Sequence, residues 1–421
     1  MSTVPAGLFR AGAAVLRVAQ AVALLEARLP VVADPERVPL GAAAGRILSA
    51  RIVAPLPLPR FDHVAVDGYA MQAASLEDAG GRLPLIGRVA AGEAAPALAE
   101  GSAMRVLTGA PLPQGADTVV MQEDVKLDVS VLGRPVLVVP SGVARRDRNI
   151  RRTGEEFAEG AEVLPPGRRI GPAELALVAS LGLADIPVRE RLRVALFSTG
   201  NELLEPGAPL RPAGRYDSNR PMLAAMLARL GCAVSDLGIV RDEPDALRAV
   251  LMRAAPGHHA VLGSGGVSVG EEDHVRTVLG QLGDSEAWAL AMKPGRALAL
   301  GLVDGTLAIG LPGNPVAAMH AFIQIARPAL LRLAGASPQP LRPLPVPAGF
   351  SHRKRAGRLE ALRVKLGRNA VGGPVLQRFG SDSSGWLGSL TEGDGLAILP
   401  EDAGDVAAGD LIGFLPFSGL L

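Results

Sequence analysis

The residues with the clearest chemical potential lie in a glycine-rich loop that runs into a cluster of acids. Positions 261 to 273 read VLGSGGVSVGEED, so a short apolar strand leads into Gly263, Gly265, Gly266 and Gly270 and then into three carboxylates. Glycines can adopt positive φ, which lets successive backbone N–H groups approach an oxyanion closely. Carboxylates suit a hard cation such as magnesium. The loop predicts a phosphorylated or pyrophosphate ligand, although an ordinary surface turn would also use glycines in this way.

Lysine is rare in this chain, which makes the lysine of one short turn informative. The lysines are Lys126, Lys293, Lys354 and Lys365. Lys293 lies in the sequence MKPGR with Arg296, where a Pro-Gly turn presents both side chains locally. Both cations are suited to holding an oxyanion, and a solvated surface lysine is the alternative.

The chain from Leu192 onward alternates predicted strands and helices, as is typical of a parallel α/β domain. Such a domain would position these residues. The strand RVALFS leads into STGNE, AVSDLGIV leads into VRDEP, and HAVLGS leads into the glycine-rich loop. Ligands collect beyond the carboxyl ends of the strands in such a sheet. We therefore expect Glu202, Asp242 and the loop to meet at one edge. Locally, Asp242 could instead cap a helix and Glu202 could be a first-turn acid.

The remaining segments predict further modules. A helix is expected from about Ala11 to Leu29, short β runs from Ile52 to Val143, a helix that begins at Pro172, and alternating β segments from about Phe350. Within the α/β domain, one helix should start at Asn219 and Pro221 and stop at Gly231. Another should have Asn314 as its N-cap and Pro315 in its first turn, and should be kinked or interrupted at Pro328. The fold class is thus multidomain α/β and β, with an N-terminal helical or linker region, an inserted small β domain, a central parallel α/β domain and a C-terminal β-barrel-like domain. The predicted boundaries are 1–51 with 149–187, 52–148, 188–337 and 338–421.

Composition excludes several classes of protein. Among 421 residues, 43 Lys and Arg balance 42 Asp and Glu, so no global field favours nucleic acid or a membrane surface. The pattern shows no long uncharged apolar run, which predicts a cytoplasmic protein. The single Cys232 excludes an internal disulfide and a thiolate zinc site, and we expect it to be a buried hydrophobe. The absence of GxxxxGK[ST], and of GxGxxG after the first strand, excludes a P-loop NTPase and a Rossmann dehydrogenase.

Five motifs in a fixed order resemble one family over essentially the whole chain. They are FDHVAVDGYAM (61 to 71), STGNE (198 to 202), GSGGVSVGEED (263 to 273), MKPGR (292 to 296) and LPGNP (311 to 315). Together they resemble the molybdopterin molybdenumtransferases, the family of MoeA and the C-terminal domain of gephyrin. MRVLTGAPLPQGADTVVMQED (104 to 124) and NIRRTGEE (149 to 156) are similar to further family segments.

The resemblance implies a function. The central domain would be a MogA-like molybdopterin-binding domain within a homodimeric enzyme of molybdenum cofactor biosynthesis. The enzyme would insert molybdate into adenylylated molybdopterin with magnesium as cofactor, and AMP would leave. Molybdopterin adenylyltransferase and molybdoenzyme-maturation proteins would be its protein partners.

The resemblance also implies site residues. The catalytic positions are Asp67, Glu202, Asp242, Asp273 and Lys293, of which Glu202, Asp242 and Asp273 would hold the metal. The cofactor-binding positions are Thr108, Ser264, Gly265, Gly266, Ser268, Gly270, Arg296, Pro312, Asn314, Pro315, Arg358 and Ser381. By the usual arrangement, Arg358 and Ser381 would enter from the partner subunit. Simpler interpretations stay open: a turn at Asp67, a strand end at Thr108, a helix start at LPGNP and a surface position for Arg358.

Three departures from the family pattern leave an alternative function open. Val64 replaces a hydroxyl residue, Glu156 replaces an aspartate, and Ala289 replaces a basic residue before MKPG. A non-catalytic molybdopterin-binding or scaffold protein would tolerate these changes. Adenylyl transfer to molybdopterin is a closer rival, but that activity usually lacks the β domain and the C-terminal module.

Overall fold

The computed structural model describes Phe9 and residues 15–267, 274–381 and 383–420. The chain divides into two compact units. The first comprises Met1–Ala50, Pro166–Gly171 and Asp185–Leu421, and the second comprises Arg51–Pro165 and Pro172–Ala184. The four-domain boundaries given above stay a prediction.

A six-stranded sheet forms the centre of the first unit. Its strands, in order across the sheet, are Ala233–Val240, Arg193–Thr199, Ala260–Ser264, Thr306–Leu311, Ala297–Val303 and Ser285–Ala289. The first four are parallel, and the last two pair antiparallel.

The predicted central parallel α/β domain is confirmed, and a short connection explains why this edge of its sheet is antiparallel. Strands Ala297–Val303 and Thr306–Leu311 are joined by Asp304 and Gly305 alone, at φ of 48° and 76°. A two-residue turn with both φ values positive connects antiparallel strands, whereas a parallel neighbour needs a crossover of a dozen or more residues.

The two faces of the sheet separate two hydrophobic cores because side chains alternate along each strand. Leu196, Leu262 and Ile309 lie in one core, and Ala195, Val261 and Ala308 lie in the other. The α-helices of this domain are Asn219–Leu230, Pro244–Ala254, His274–Leu282 and Pro315–Ala321.

The helix boundaries follow sequence signals. The helix Asn219–Leu230 buries Leu223, Met226 and Leu227 and ends at Gly231, where a φ of 96° closes it as predicted. The last helix continues as a π-helical turn, Phe322–Ala326, and then as Arg327–Leu333. The predicted interruption at Pro328 is confirmed, since a proline within a helix removes one backbone donor and crowds the preceding turn.

A second sheet in this unit is built by the C-terminal segment. Its order is Met292–Lys293, Leu359–Arg368, Gly395–Leu399, Leu411–Pro416 and Leu344–Pro347, with Pro374–Arg378 paired to Leu359–Arg368. The short strand Met292–Lys293 comes from the central domain and runs parallel to Leu359–Arg368. This pairing fixes the C-terminal sheet against the loop that carries Lys293.

The rest of the first unit consists of short elements. These are the helix Val18–Arg28, the antiparallel pair Pro35–Pro39 and Asp185–Arg189, the pair Leu203–Leu204 and Arg215–Tyr216, the 3-10 turns Leu40–Ala42 and Ala255–Gly257, and the helices Gly388–Thr391 and Phe417–Leu420.

The second unit is largely β, as predicted for this region. Its main sheet has the order Thr118–Met121, Gly68–Met71, Ala103–Val106, Arg82–Val89, Pro135–Val138 and Lys126–Val129. Two small ladders pair Ile52–Val53 with Glu162–Leu164 and His63–Val64 with Ile150–Arg151. The helices are Ala73–Asp78, the 3-10 turn Gln122–Asp124 and Pro172–Ser180, which begins at the predicted proline.

Within the part of the chain that the structure describes, no helix has both the length and the apolar character needed to span a bilayer.

Candidate functional site

A cavity of about 910 Å³ opens in the first unit at the carboxyl ends of the parallel strands. Its floor and walls come from the loops that follow strands Arg193–Thr199, Ala260–Ser264 and Thr306–Leu311, and from strand Leu359–Arg368 of the C-terminal sheet. This is the place where ligands bind in α/β sheets, and the volume lies within the range of about 300 to 1,000 Å³ typical of small-molecule sites.

The cavity brings together most of the predicted site residues of this unit. Those that line it are Glu202, Asp242, Ser264, Gly265, Gly266, Lys293, Arg296, Pro312, Asn314 and Pro315. Ser268, Gly270 and Asp273 lie outside the described residues. The remaining two predicted residues of this unit bond to side chains on the cavity wall: Arg358 donates to Glu360, and the carbonyl of Ser381 accepts from Arg363.

Two glycines bring the loop backbone against the neighbouring strand. Gly265 has a φ of 102°, and a Cβ there would lie 2.2 Å from the carbonyl oxygen of Thr199. Gly266 has a φ of 63°, and its Cβ would lie 2.9 Å from Val275 Cγ2. A side chain at either position would therefore be both strained and blocked.

Two of the glycines in the predicted amide cradle have structural roles instead. The N–H of Gly265 donates to the carbonyl of Leu311 at 3.0 Å and so serves the scaffold. Gly263 is not at positive φ; it lies inside a strand, where a Cβ would stand 2.6 Å from the ring of Phe197. Gly263 is required for packing space, which corrects the expectation that it provides a left-handed turn.

The two described acids are held on neighbouring loops and do not serve helix ends. Thr199 Oγ1 donates to Asp242 Oδ1 at 3.3 Å, and the Asp242 N–H donates to Asn201 Oδ1 at 3.4 Å. The N-cap of the following helix is Glu243, so the capping alternative for Asp242 is wrong. Glu202 lies in a turn before the strand Leu203–Leu204, so it is not a first-turn helix acid either.

These carboxylates have the chemistry of a magnesium site. Magnesium is held by one or two carboxylates, several waters and substrate phosphates, so two acids at one cavity fit it. Among the described residues no group of three or more His, Cys, Asp or Glu side chains converges for a metal. The third predicted ligand, Asp273, is outside them. The full three-carboxylate set stays a prediction.

The cationic wall is built around Lys293. The register of the short parallel pair places Lys293 opposite Glu360, and both residues line the cavity together with Arg296. Glu360 is buried and accepts hydrogen bonds from Arg358 Nε at 2.8 Å and from His352 Nε2 at 3.0 Å. Burial opposes ionisation of Glu360, but these hydrogen bonds, with the charges of Arg358 and Lys293, hold its pKa below the usual value.

Arg363 is a second buried charge that the sequence analysis missed. Its Nε donates to Ser389 Oγ at 3.0 Å, and its Nη2 donates to the carbonyls of Ser383 and Ser381 at 2.9 and 3.4 Å. Arg363 therefore lines the cavity and holds the loop around Ser384 beside it. The sequence signal that could have revealed Arg363 was the presence of charged residues within the otherwise apolar strand Leu359–Arg368. Residues of this C-terminal module line the cavity of their own chain, and the entry of Arg358 and Ser381 into a partner subunit's site stays a prediction.

The cavity floor contains another network that the sequence analysis treated only as a helix start. Asn219 Nδ2 donates to Ser264 Oγ and to the carbonyl of Gly313, both at 2.7 Å. Asp217 accepts the N–H groups of Asn219 and Arg220 at 3.1 Å. The available sequence signal was the polar run DSNRP (217 to 221) at the start of this helix. Asn314 is the N-cap of its helix, but its side chain makes no capping hydrogen bond, so the expected side-chain cap is wrong.

In the second unit, two predicted residues from distant motifs meet. The N–H and hydroxyl of Thr108 both donate to Asp67 Oδ1, at 2.8 and 2.7 Å. These two hydrogen bonds, followed by the charge of Arg105, hold the pKa of Asp67 below its usual value. Asp67 is thus more than the acid of a local Asp-Gly turn, because its partner lies 41 residues away.

The three departures from the family pattern have local structural settings. Val64 is fully buried in the ladder His63–Val64, which explains an apolar residue there. Glu156 forms an ion pair with Arg151. Ala289 ends an edge strand, and its carbonyl accepts the N–H of Leu16 at 2.8 Å.

Comparison with known proteins gives the same identity to each part of the chain. Three family models match it: the MoeA N-terminal region (domain I and II) over residues 16–182, the probable molybdopterin binding domain over 195–332, and the MoeA C-terminal region (domain IV) over 345–417. A molybdopterin molybdenumtransferase of Haemophilus influenzae is 34% identical over 94% of this chain and 96% of its own length. The chain belongs to the molybdopterin molybdenumtransferase family.

Other relatives agree with this membership. Molybdopterin molybdenumtransferase 2 of Mycobacterium tuberculosis is 38% identical over 89% of this chain and 93% of its own. The crystal structure of the MoeA molybdopterin biosynthesis protein of Pyrococcus horikoshii OT3 matches with a TM-score of 0.78 and 26% identity, covering 95% of this chain and 99% of that one. The family and multidomain fold predicted from the motifs are confirmed. The family is one of transferases in molybdenum cofactor biosynthesis.

Proposed function

We propose that this molybdopterin molybdenumtransferase family member inserts molybdate into adenylylated molybdopterin, with release of AMP and dependence on magnesium. The observation that carries the proposal is the convergence of the glycine loop, two carboxylates and the cations Lys293 and Arg296 on one cavity. A ligand with two bridged phosphates needs this combination, because both phosphates must be neutralised before the bond between them breaks.

The acidic side of the cavity is the proposed place for the metal. Glu202 and Asp242, with Asp273, would hold magnesium, which when bound supplies the positive charge that stabilises the phosphates and the departing AMP. Thr199 fixes the carboxylate of Asp242 through its hydroxyl. Asn201 fixes the backbone of the same residue. These contacts keep one oxygen ligand in place before substrate binds.

The basic side is the proposed place for molybdate and the ligand phosphates. Molybdate is a tetrahedral dianion, so ammonium and guanidinium groups suit it. The buried carboxylate of Glu360 lies opposite Lys293 in the paired strands and faces the cationic side of the cavity. Because Ala289 brings no charge, we assign anion binding chiefly to Lys293 and Arg296. Arg363 has the supporting role of holding the loop at the cavity rim.

Other parts of the proposal come from the family. They are a homodimer, a contribution of Asp67 and Thr108 to the reaction, a cytoplasmic location, and exchange of substrate and product with an adenylyltransferase and with molybdoenzyme-maturation proteins. The Asp67 carboxylate is held in its charged form by Thr108, which suits it to a role with a cation.

The test is AMP release after mixing purified protein with adenylylated molybdopterin, molybdate and magnesium. We expect release that requires both molybdate and magnesium and falls at least tenfold in Asp242→Asn. Asp245→Asn is the matched control, since Asp245 is a first-turn acid of the helix Pro244–Ala254 and is exposed to solvent. Binding without AMP release would indicate a non-catalytic binding protein, and absence of binding would refute the proposal.

A further inference from the structure

The floor of the cavity contains two buried oxygens without a hydrogen-bond partner among the described residues. They are Ser198 Oγ and Asn219 Oδ1. Ser198 is 1% exposed and Asn219 is 6% exposed, and both line the cavity. Buried polar atoms of side chains are nearly always hydrogen-bonded, so two such oxygens in one cavity need an explanation.

The orientation of Asn219 is fixed, which makes its free atom chemically informative. Its Nδ2 group donates to Ser264 Oγ and to the carbonyl of Gly313, both at 2.7 Å. Turning the amide round would place Oδ1 against the carbonyl of Gly313, where two acceptors repel each other. The atom left over is therefore an oxygen, and it can be satisfied only by an N–H or O–H donor.

The sheet places Ser198 next to Ser264, the residue that accepts a hydrogen bond from Asn219. Ser198 and Ser264 are register partners on adjacent parallel strands, and Ser264 is in turn the partner of Leu311. These positions form one row at the carboxyl edge, directly before the loops that line the cavity. The row carries no charge, in contrast to the wall with Lys293 and Arg296.

We propose that Ser198 Oγ and Asn219 Oδ1 form a neutral subsite for an exocyclic amino group on the planar heterocycle of the ligand. An amino group has two hydrogens, one for each oxygen, and it brings no charge into the floor. The charged end of the same ligand would lie against the cationic wall. The inference rests on the proposed function for the ligand's identity, since molybdopterin has a pterin ring and its adenylylated form also has adenine.

Serine substitution separates a ligand contact from a structural one. Ser198→Ala removes a hydroxyl that has no partner among the described residues, so we expect an unchanged or higher melting temperature together with about tenfold weaker binding. Ser75→Ala is the matched control. Ser75 is also buried, but its Oγ donates to Gln72 Oε1 at 3.0 Å, so this change should lower the melting temperature and leave binding intact.

Two pairs of probes test the amino group on the full-length protein. The first pair is 6-hydroxymethylpterin phosphate and the analogue with hydrogen in place of the 2-amino group; the second is AMP and purine riboside monophosphate. Affinities are measured by calorimetry. Within the pair that the protein recognises, we expect the probe without the amino group to bind at least tenfold more weakly than the probe with it. Ser198→Ala should abolish most of that difference.

The outcomes either assign the subsite to one ring or overturn it. Discrimination within the pterin pair assigns the subsite to pterin, and discrimination within the purine pair assigns it to adenine. Equal affinities within both pairs overturn the subsite, as does Ser198→Ala with a lowered melting temperature and unchanged affinity. These results are independent of AMP release: an active protein without discrimination keeps the proposed function and loses the subsite, and the reverse result keeps only the subsite.

Discussion

Replacing Gly265 with alanine tests how the glycine loop is fixed against the sheet. An alanine Cβ would lie 2.2 Å from the carbonyl oxygen of Thr199, so the two atoms must separate by 0.8 Å to reach even 3.0 Å. The obstacle is backbone, and no side-chain rotation relieves it. Because the hydroxyl of Thr199 holds Asp242, the shift reaches the acidic side of the cavity.

The expected loss of stability has two parts. A positive φ costs an alanine about 1 to 2 kcal/mol, and displacement of closely packed backbone costs about 1 to 3 kcal/mol more. We therefore expect Gly265→Ala to lose about 2 to 5 kcal/mol of unfolding free energy.

Two control variants separate these contributions in urea denaturation. Gly45→Ala has a φ of 74° with no atom within 4 Å of the new Cβ, so it reports the backbone cost alone. Gly313→Ala adds a methyl group in the same cavity without positive φ, 3.7 Å from the nearest atom, and should be close to neutral. Ligand affinity should fall in Gly265→Ala and stay unchanged in Gly45→Ala. A Gly265→Ala protein no less stable than Gly45→Ala, with intact affinity, would refute the reasoning.

Three further predictions concern charge. Lys293→Ala should weaken binding of molybdate and phosphate probes at least tenfold in calorimetry, whereas Lys365→Ala, which removes an exposed lysine paired with Glu392, should not; equal effects would remove Lys293 from the site. Thr108→Val keeps the backbone hydrogen bond and loses the hydroxyl, so the pKa of Asp67 should rise part of the way towards 3.8 in a carboxyl NMR titration, with Thr108→Ser restoring it; an unchanged pKa contradicts this. Burial lowers the pKa of His320 to about 4, so the unfolded chain takes up the proton first and stability should fall as pH drops from 6.5 towards 4; His320→Gln should show a smaller loss in urea denaturation over that range.

The sequence was most informative where a single residue type fixes local geometry. Gly231 predicted the end of one helix and Pro315 the start of another, because each residue has a restricted or exceptional backbone preference. The convergence of Glu202, Asp242 and the glycine-rich loop followed from the rule that strand ends of a parallel sheet share one edge. Those predictions needed no knowledge of long-range packing.

The features that the sequence did not reveal depend on contacts between distant segments. Glu360 and Arg363 reach the cavity because the short strand Met292–Lys293 pairs with Leu359–Arg368. A strand of two residues leaves no recognisable pattern in the sequence. The free oxygen of Asn219 became visible once both its amide hydrogens were seen to be used. In the same way, the role of Gly263 depends on the ring of Phe197 on the adjacent strand.

The proposed function requires the reaction to take place in the cavity between the glycine loop and Lys293. A crystal structure with AMP and tungstate, the heavier analogue of molybdate, tests it most directly because tungsten can be located by anomalous scattering. We predict a tungsten peak whose oxygens lie about 3 Å from Lys293 Nζ or the Arg296 guanidinium. A single ordered tungstate bound elsewhere, with AMP also outside this cavity, would show that the reaction does not take place there.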